Sequence, residues 1–437
     1  MNSSLRESSA PGRRALGGRS RAALAALTLV LLLPGRPAKA QTVIAADGTL
    51  NLNYTMTTPH TPGTGALETE IRPSVVFQMR SPRFVWSASY RFTGSLTLNS
   101  QYTNSYSNLL VLTATSVLTE RSTLDLSGSL HQGDVAFQLT EAAPDAGNPT
   151  FRPQGNPNFV TAILREGLSW QVSPEFGLGQ GITGTLVAPQ YSLDEYSASL
   201  AGFLRLNRAF QTNALGAAWL PTASLLRGAG DGGEPFWTVT NALEASWNHD
   251  FDSGWNGQLS AGVAHVISFV GENPSSVVPT GSLTARYFSG STSGALALAY
   301  GPYTNLSTGT VSQSGSVTAR GSVSFDPLVP RHLAASVGFR RSRPLGAVAP
   351  GSLAGLGDAL QGDVGFVWAL TPALRASARA SVAYQFNQPG GVANSLVEVF
   401  LVGLTYYYSN AASMPPMPTP GQRVDGADAV GLDIRSP

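Results

Sequence analysis

The chain contains no cysteine. It therefore forms no disulfides and is no stapled extracellular scaffold. Lysine occurs once, at Lys39, and every later base is arginine. Charged residues make up 12% of the sequence, against about 25% in ordinary soluble domains. No apolar run beyond residue 40 approaches the ~18 residues of a membrane helix. A basic excess is missing too. Of 27 bases and 26 acids, seven bases and one acid fall within 1–40, leaving 20 bases against 25 acids. That balance excludes nucleic acid as a natural partner. The five histidines (His60, His131, His249, His265 and His332) are scattered over different segments. They make no metal spacing and no pairing with a nucleophile, and there is no phosphate-binding loop. The expectation is a protein that is not an enzyme and needs no cofactor.

What is present begins with an export signal. Arg6, Arg13, Arg14, Arg19 and Arg21 precede the apolar stretch AALAALTLVLLL at 22–33, and AKA at 38–40 offers a small-x-small cleavage site. Residues 1–40 are expected to be removed, with the mature chain starting at Gln41.

Beyond that point the hydrophobic pattern has a period of two. In 311–325, VSQSGSVTARGSVSF, one face carries Ser312, Ser314, Ser316, Thr318, Arg320, Ser322 and Ser324; Val311, Val317, Ala319, Val323 and Phe325 take the other. In 374–386, Arg375, Ser377, Arg379 and Ser381 oppose Leu374, Ala376, Ala378, Ala380 and Val382. Alternation of this kind is a strand with one polar and one apolar side. The apolar side is thin, rich in Ala and Gly, and ends in aromatics. Trp237 and Trp247 share it ten residues apart. At about 3.3 Å per residue and a tilt near 40°, that separation is roughly 25 Å, the height of a barrel's apolar band between its aromatic girdles.

Connections alternate in length. Short turns are expected at 81–83, 119–122, 173–175, 207–209, 250–253, 289–292, 326–330 and 371–373. Longer polar ones are expected at 58–67, 99–106, 140–158, 189–195, 222–235, 270–280, 303–310, 343–360 and 388–394. Seventeen connections mean 18 strands, with 16 as the alternative. The fold class that follows is all-β, a transmembrane antiparallel β-barrel over 41–409, with strand 1 at about 48–57 and no plug domain before it. Hydrocarbon offers no hydrogen-bond partner, so the first and last strands must meet.

The last expected strand ends in Gly403-x-x-Tyr406-x-Tyr408. This resembles the signal that closes bacterial outer-membrane barrels and is recognised by the barrel-assembly machinery, although Leu401 stands where that pattern prefers a polar residue. Tyr406 and Tyr408 share a face with Phe400, Val402 and Leu404, which places them on the lipid side, and Tyr407 points to the lumen rim. Residues 410–437 are Pro-rich and without period, as expected of a disordered periplasmic tail. In architecture, 48–408 resembles two groups: porin-like channels of 16–18 strands, and the stand-alone barrels of Wzx/Wzy-type polysaccharide export. Either resemblance implies a pore in the outer membrane of a Gram-negative bacterium, in contact with outer-membrane lipid. The second also implies a periplasmic polysaccharide-export protein as partner. A structural or adhesive barrel with a blocked lumen is the remaining reading.

Strand phase puts Arg72, Arg80, Arg91, Arg165, Arg205, Arg286, Arg320, Arg340, Arg375 and Arg379 on the polar, lumen-lining face, with Asp125, Glu244 and Asp363 as its clearest acids. An excess of Arg there would favour anions. The connection 140–158 is a candidate constriction loop. Two places break the phase. Glu166 falls on the apolar face, where a bulge at Gly167 would relieve it, and the pattern slips between Leu130 and Val135, suggesting a second bulge.

Overall fold

The computed structural model describes residues 41–57, 66–97, 105–134, 158–189, 196–227, 235–251, 254–269, 275–304, 311–325, 331–345, 357–386 and 395–409. The expected signal (1–40), the constriction loop (140–158, apart from Asn158 at the start of the next strand), the tail (410–437) and the turn 326–330 lie outside them.

Eighteen strands follow one another: β1 Gln41–Thr57, β2 Ala66–Ser81, β3 Phe84–Thr97, β4 Ser105–Thr119, β5 Ser122–Asp134, β6 Asn158–Gln171, β7 Phe176–Pro189, β8 Tyr196–Phe210 and β9 Asn213–Arg227. The second half comprises β10 Phe236–Phe251, β11 Trp255–Ser268, β12 Ser275–Ser289, β13 Thr292–Thr304, β14 Val311–Phe325, β15 Arg331–Pro344, β16 Gly357–Ala369, β17 Leu374–Phe386 and β18 Ser395–Ser409. Each strand pairs antiparallel with its sequence neighbours, and β1 also pairs with β18, from Ala45↔Ser409 to Thr57↔Val397. The sheet is a closed all-β barrel with no free edge, so no backbone ladder is left open.

Paired residues share a face, which sorts every strand into two sides. One side is apolar and strongly exposed: Leu164 is 70% exposed, Val277 71% and Leu243 60%. The buried hydrophobics are small, mostly Ala and Val. A soluble sandwich would bury its Leu and Trp against a second sheet; here they stand outward all round. The other side is concave, polar and crowded, with Asn51, Glu70, Thr93 and Thr405 among its buried groups.

The strand count agrees with the eighteen expected; the boundaries moved. β1 begins at Gln41 rather than near residue 48, because Ala45, Ala46, Asp47 and Gly48 are held in the ladder by both β2 and β18. β8 runs on to Phe210, so the turn expected at 207–209 lies at Gln211–Thr212, with Gln211 at a φ of 49°. β5 ends at Asp134, β9 continues to Arg227, and β12 starts at Ser275. Neither expected bulge forms. The β5–β6 and β6–β7 ladders run unbroken through Glu166 and Gly167, leaving Glu166 opposite Leu126 and Ile182 on the exposed face. The β4–β5 ladder continues without a shift through Gln132 to Gly133, whose φ of 141° lets it lie against Ser107. The irregularity in that hairpin is at Val117/Thr119, beside the turn.

Candidate functional site: the inner wall

The register puts all ten arginines singled out from the phase on the concave face, opposite the exposed apolar one. Their surroundings differ. Arg72 is ion-paired to Glu70, which also accepts a hydrogen bond from Asn51 Nδ2 at 3.3 Å. Arg379 Nη2 lies 3.7 Å from Asp363 Oδ2, and Ser336 Oγ donates to the same carboxylate. Arg375 stacks over the Tyr407 ring, 4.7 Å from its centroid, and Tyr407 stands opposite Asp47 of β1. Arg80 Nε donates to Gln78 Oε1 at 3.0 Å. Arg340 is 3% exposed and so presents little charge to the interior space. Arg91, Arg165 and Arg205 are each partnered as well.

Arg286 and Arg320 stand apart. Both are exposed, and neither has a side-chain partner among the described residues. They also belong to one row of the ladder. Arg286 pairs with Ala295 of β13, and Ala295 pairs in turn with Arg320. Two strand spacings, roughly 10 Å, separate them. The row continues to Ser336 and Asp363 on one side, and to Asn256 and Asp250 on the other. The two acids are occupied, Asp363 by Arg379 and Ser336, and Asp250 by Asn256 Nδ2. What is left is a pair of guanidiniums that no acid among the described residues compensates, on a wall otherwise rich in hydroxyls.

Of the acids noted from the phase, Asp125 accepts from Thr115 Oγ1 at 2.6 Å, and Glu244 shares a row with Arg205 across Ala218. Glu70 was missed. Its signal was present, since it lies two residues before Arg72 and shares that residue's face.

The inner wall also has an apolar patch. Ala242, Ala264, Val266 and Val278 form it, and Leu220 and Leu345 pack against it. Leu345 directly follows β15, three strands beyond β12, and rests against this patch of the inner wall. The constriction expected at 140–158 lies outside the described residues except for Asn158, which opens β6; Leu345 is a described residue that reaches the wall.

Gly403 is buried on the concave face at the β1–β18 seam, opposite Asn51. A Cβ there would overlap Asn51 Oδ1. Thr49 and Thr405 hydroxyls bridge the same seam at 3.0 Å. Tyr406 and Tyr408 stand exposed on the outer face, as do Trp237 and Trp247 near the two ends of β10. Trp247 Nε1 donates to Asn213 Oδ1 at 3.0 Å.

No family model matches the chain, and no curated protein sequence matches it. Solved structures similar to it include Pseudomonas aeruginosa OccK9 (OpdG), at 12% identity and a TM-score of 0.44, covering 84% of this chain and 99% of that one. Acinetobacter baumannii OccAB4 has 8% identity and a TM-score of 0.45, with 86% and 100% covered. Pseudomonas aeruginosa OccK2 (OpdF), solved in complex with glucuronate, has 13% identity and a TM-score of 0.44, with 86% and 100% covered. The barrel described above rests on this chain's own ladder.

Proposed function

We propose that this chain is a pore in the outer membrane of a Gram-negative bacterium, with an inner wall that favours anions. The observation that carries the reading is the Arg286–Ala295–Arg320 row, two exposed guanidiniums with no acid partner among the described residues, on the concave face of a closed barrel. Eighteen strands enclose a lumen broad enough for water, and charges lining such a lumen sort permeant ions. Membrane placement is supported by the exposed apolar face, which water would not tolerate on this scale, and by aromatics near its two edges. Outer-membrane lipid is then the partner of that face, and Gly403, Tyr406 and Tyr408 make the signal for the barrel-assembly machinery.

Within this reading the pore serves polysaccharide export, with a periplasmic export protein as partner. Support comes from the wall chemistry. Ser312, Ser314, Ser316, Thr318, Ser322 and Ser324 offer hydroxyls along β14, and few large aromatics face inward to hold a sugar chain in place. A deletion strain tests it. Loss of surface polysaccharide, restored by the native chain but not by the Arg286→Glu/Arg320→Glu variant, is the expected result. Normal polysaccharide with reduced uptake of small anions would leave a diffusion porin instead. No conductance at all in planar bilayers would favour a structural or adhesive barrel.

A further inference from the structure

The exposed apolar face carries an acid far from either end. Glu166 lies opposite Leu126 and Ile182, four residues from Trp170 near the short-turn end of β6. At about 3.3 Å per residue and a tilt near 40°, that is roughly 10 Å into the apolar band, close to its middle. Two other outward acids on described strands, Asp358 and Glu398, lie within four residues of long-loop ends. Gln180 of β7 also faces outward, opposite Leu168 and hence diagonal to Glu166. Among the described residues, no side-chain hydrogen bond or ion pair involves Glu166 or Gln180. Hydrocarbon satisfies neither group, and an ionisable side chain held there calls for a partner.

We propose that this patch is where a second copy of the same chain docks, with Glu166 of each copy meeting Gln180 of the other across a two-fold axis along the membrane normal. The inference rests on the membrane placement argued above. A two-fold interface requires a self-complementary patch. A carboxyl group and a primary amide suit each other in this sense, since the amide N–H2 donates to a carboxyl oxygen. Adjacent strands supply both halves side by side. The wall is low beside them, since Gly184 is outward and a Cβ there would meet nothing within 4 Å. Next to Ile182 is a cavity of about 430 Å³, lined by Leu200, Gly202, Leu204, Trp219 and Pro221. It follows from local chemistry. Gly202 has no side chain and Pro221 no N–H, so the β8–β9 ladder steps from Ala201↔Thr222 to Leu204↔Trp219. Leu164, two residues from Glu166 and 70% exposed, is the knob that a second copy offers to this hole.

A chain without cysteine makes the test direct. The full mature chain is folded into phosphatidylethanolamine–phosphatidylglycerol vesicles with a single Gly184→Cys, and treated with a short bismaleimide. A covalent dimer is expected, and none from Val337→Cys on the outer face of β15, 51% exposed. Without cross-linker, native mass spectrometry of the unmodified chain should show dimer, and Glu166→Leu/Gln180→Leu should lower the dimer fraction at least tenfold while the barrel still shifts its gel mobility on heating. A folded, heat-modifiable barrel that is monomeric overturns the dimer alone, as does a dimer that survives both leucines or cross-links equally through Val337→Cys. A chain that stays soluble without lipid or detergent and shows no heat shift overturns the membrane placement, and the dimer with it.

Discussion

Charge reversal at Arg286 and Arg320 should invert the ion selectivity of the pore, and the size of the effect can be worked from the ladder. Ala295 separates the two arginines by one strand on either side. An anion between them sits about 6 Å from each charge, taking roughly 5 Å per strand. In water each guanidinium then contributes about 0.7 kcal/mol, so the pair attracts an anion and repels a cation by about 1.4 kcal/mol each, a difference near 2.8 kcal/mol. Screening at 0.1 M salt reduces this to about 1.5 kcal/mol, roughly a tenfold preference; at 1 M, with a Debye length of about 3 Å, roughly twofold remains. Reversal potentials under a salt gradient in planar bilayers measure the ratio. Arg286→Glu/Arg320→Glu should turn an anion preference of about tenfold at 0.1 M into a cation preference of similar size. Arg340→Gln should change it little, because Arg340 is buried. A ratio unmoved by the double reversal, or one insensitive to salt, would refute the reasoning.

Further outcomes follow from the seam, the outer face and the apolar patch. Gly403→Val should destabilise the barrel by about 1–3 kcal/mol through overpacking against Asn51, measured by denaturant unfolding in detergent, and Asn51→Ala in the same chain should recover part of the loss. Leu243→Arg, on the outer face between Trp237 and Trp247, should cost about 2–4 kcal/mol. Thr240→Arg, inward on the same strand, should cost well under half as much. Leu345→Ser should release its contact with the patch of Ala242, Ala264, Val266 and Val278 and raise single-channel conductance; an unchanged conductance would mean that Leu345 does not narrow the pore.

Much of this architecture was legible in the sequence, because alternation along a strand reports which side chains share a face. Val317 and Ala319 against Thr318 and Arg320 needed no coordinates, nor did the spacing of Trp237 and Trp247 or the contrast between short turns and long connections. Turn position was less legible: Asn207-Arg208-Ala209 has turn-like composition, yet the ladder carries β8 to Phe210. Parity within a strand says nothing about how far one strand is shifted along its neighbour. That offset is decided by pairing around the closed barrel, and it alone brings Arg286 and Arg320 into one row, sets Gly403 against Asn51, and holds Glu166 outward where a bulge would have turned it in. The reach of Leu345 to a wall three strands away is likewise a tertiary fact. A pattern of period two fixes a side chain's face, whereas its neighbours across the sheet depend on register, and register is settled only when every strand has found both of its partners.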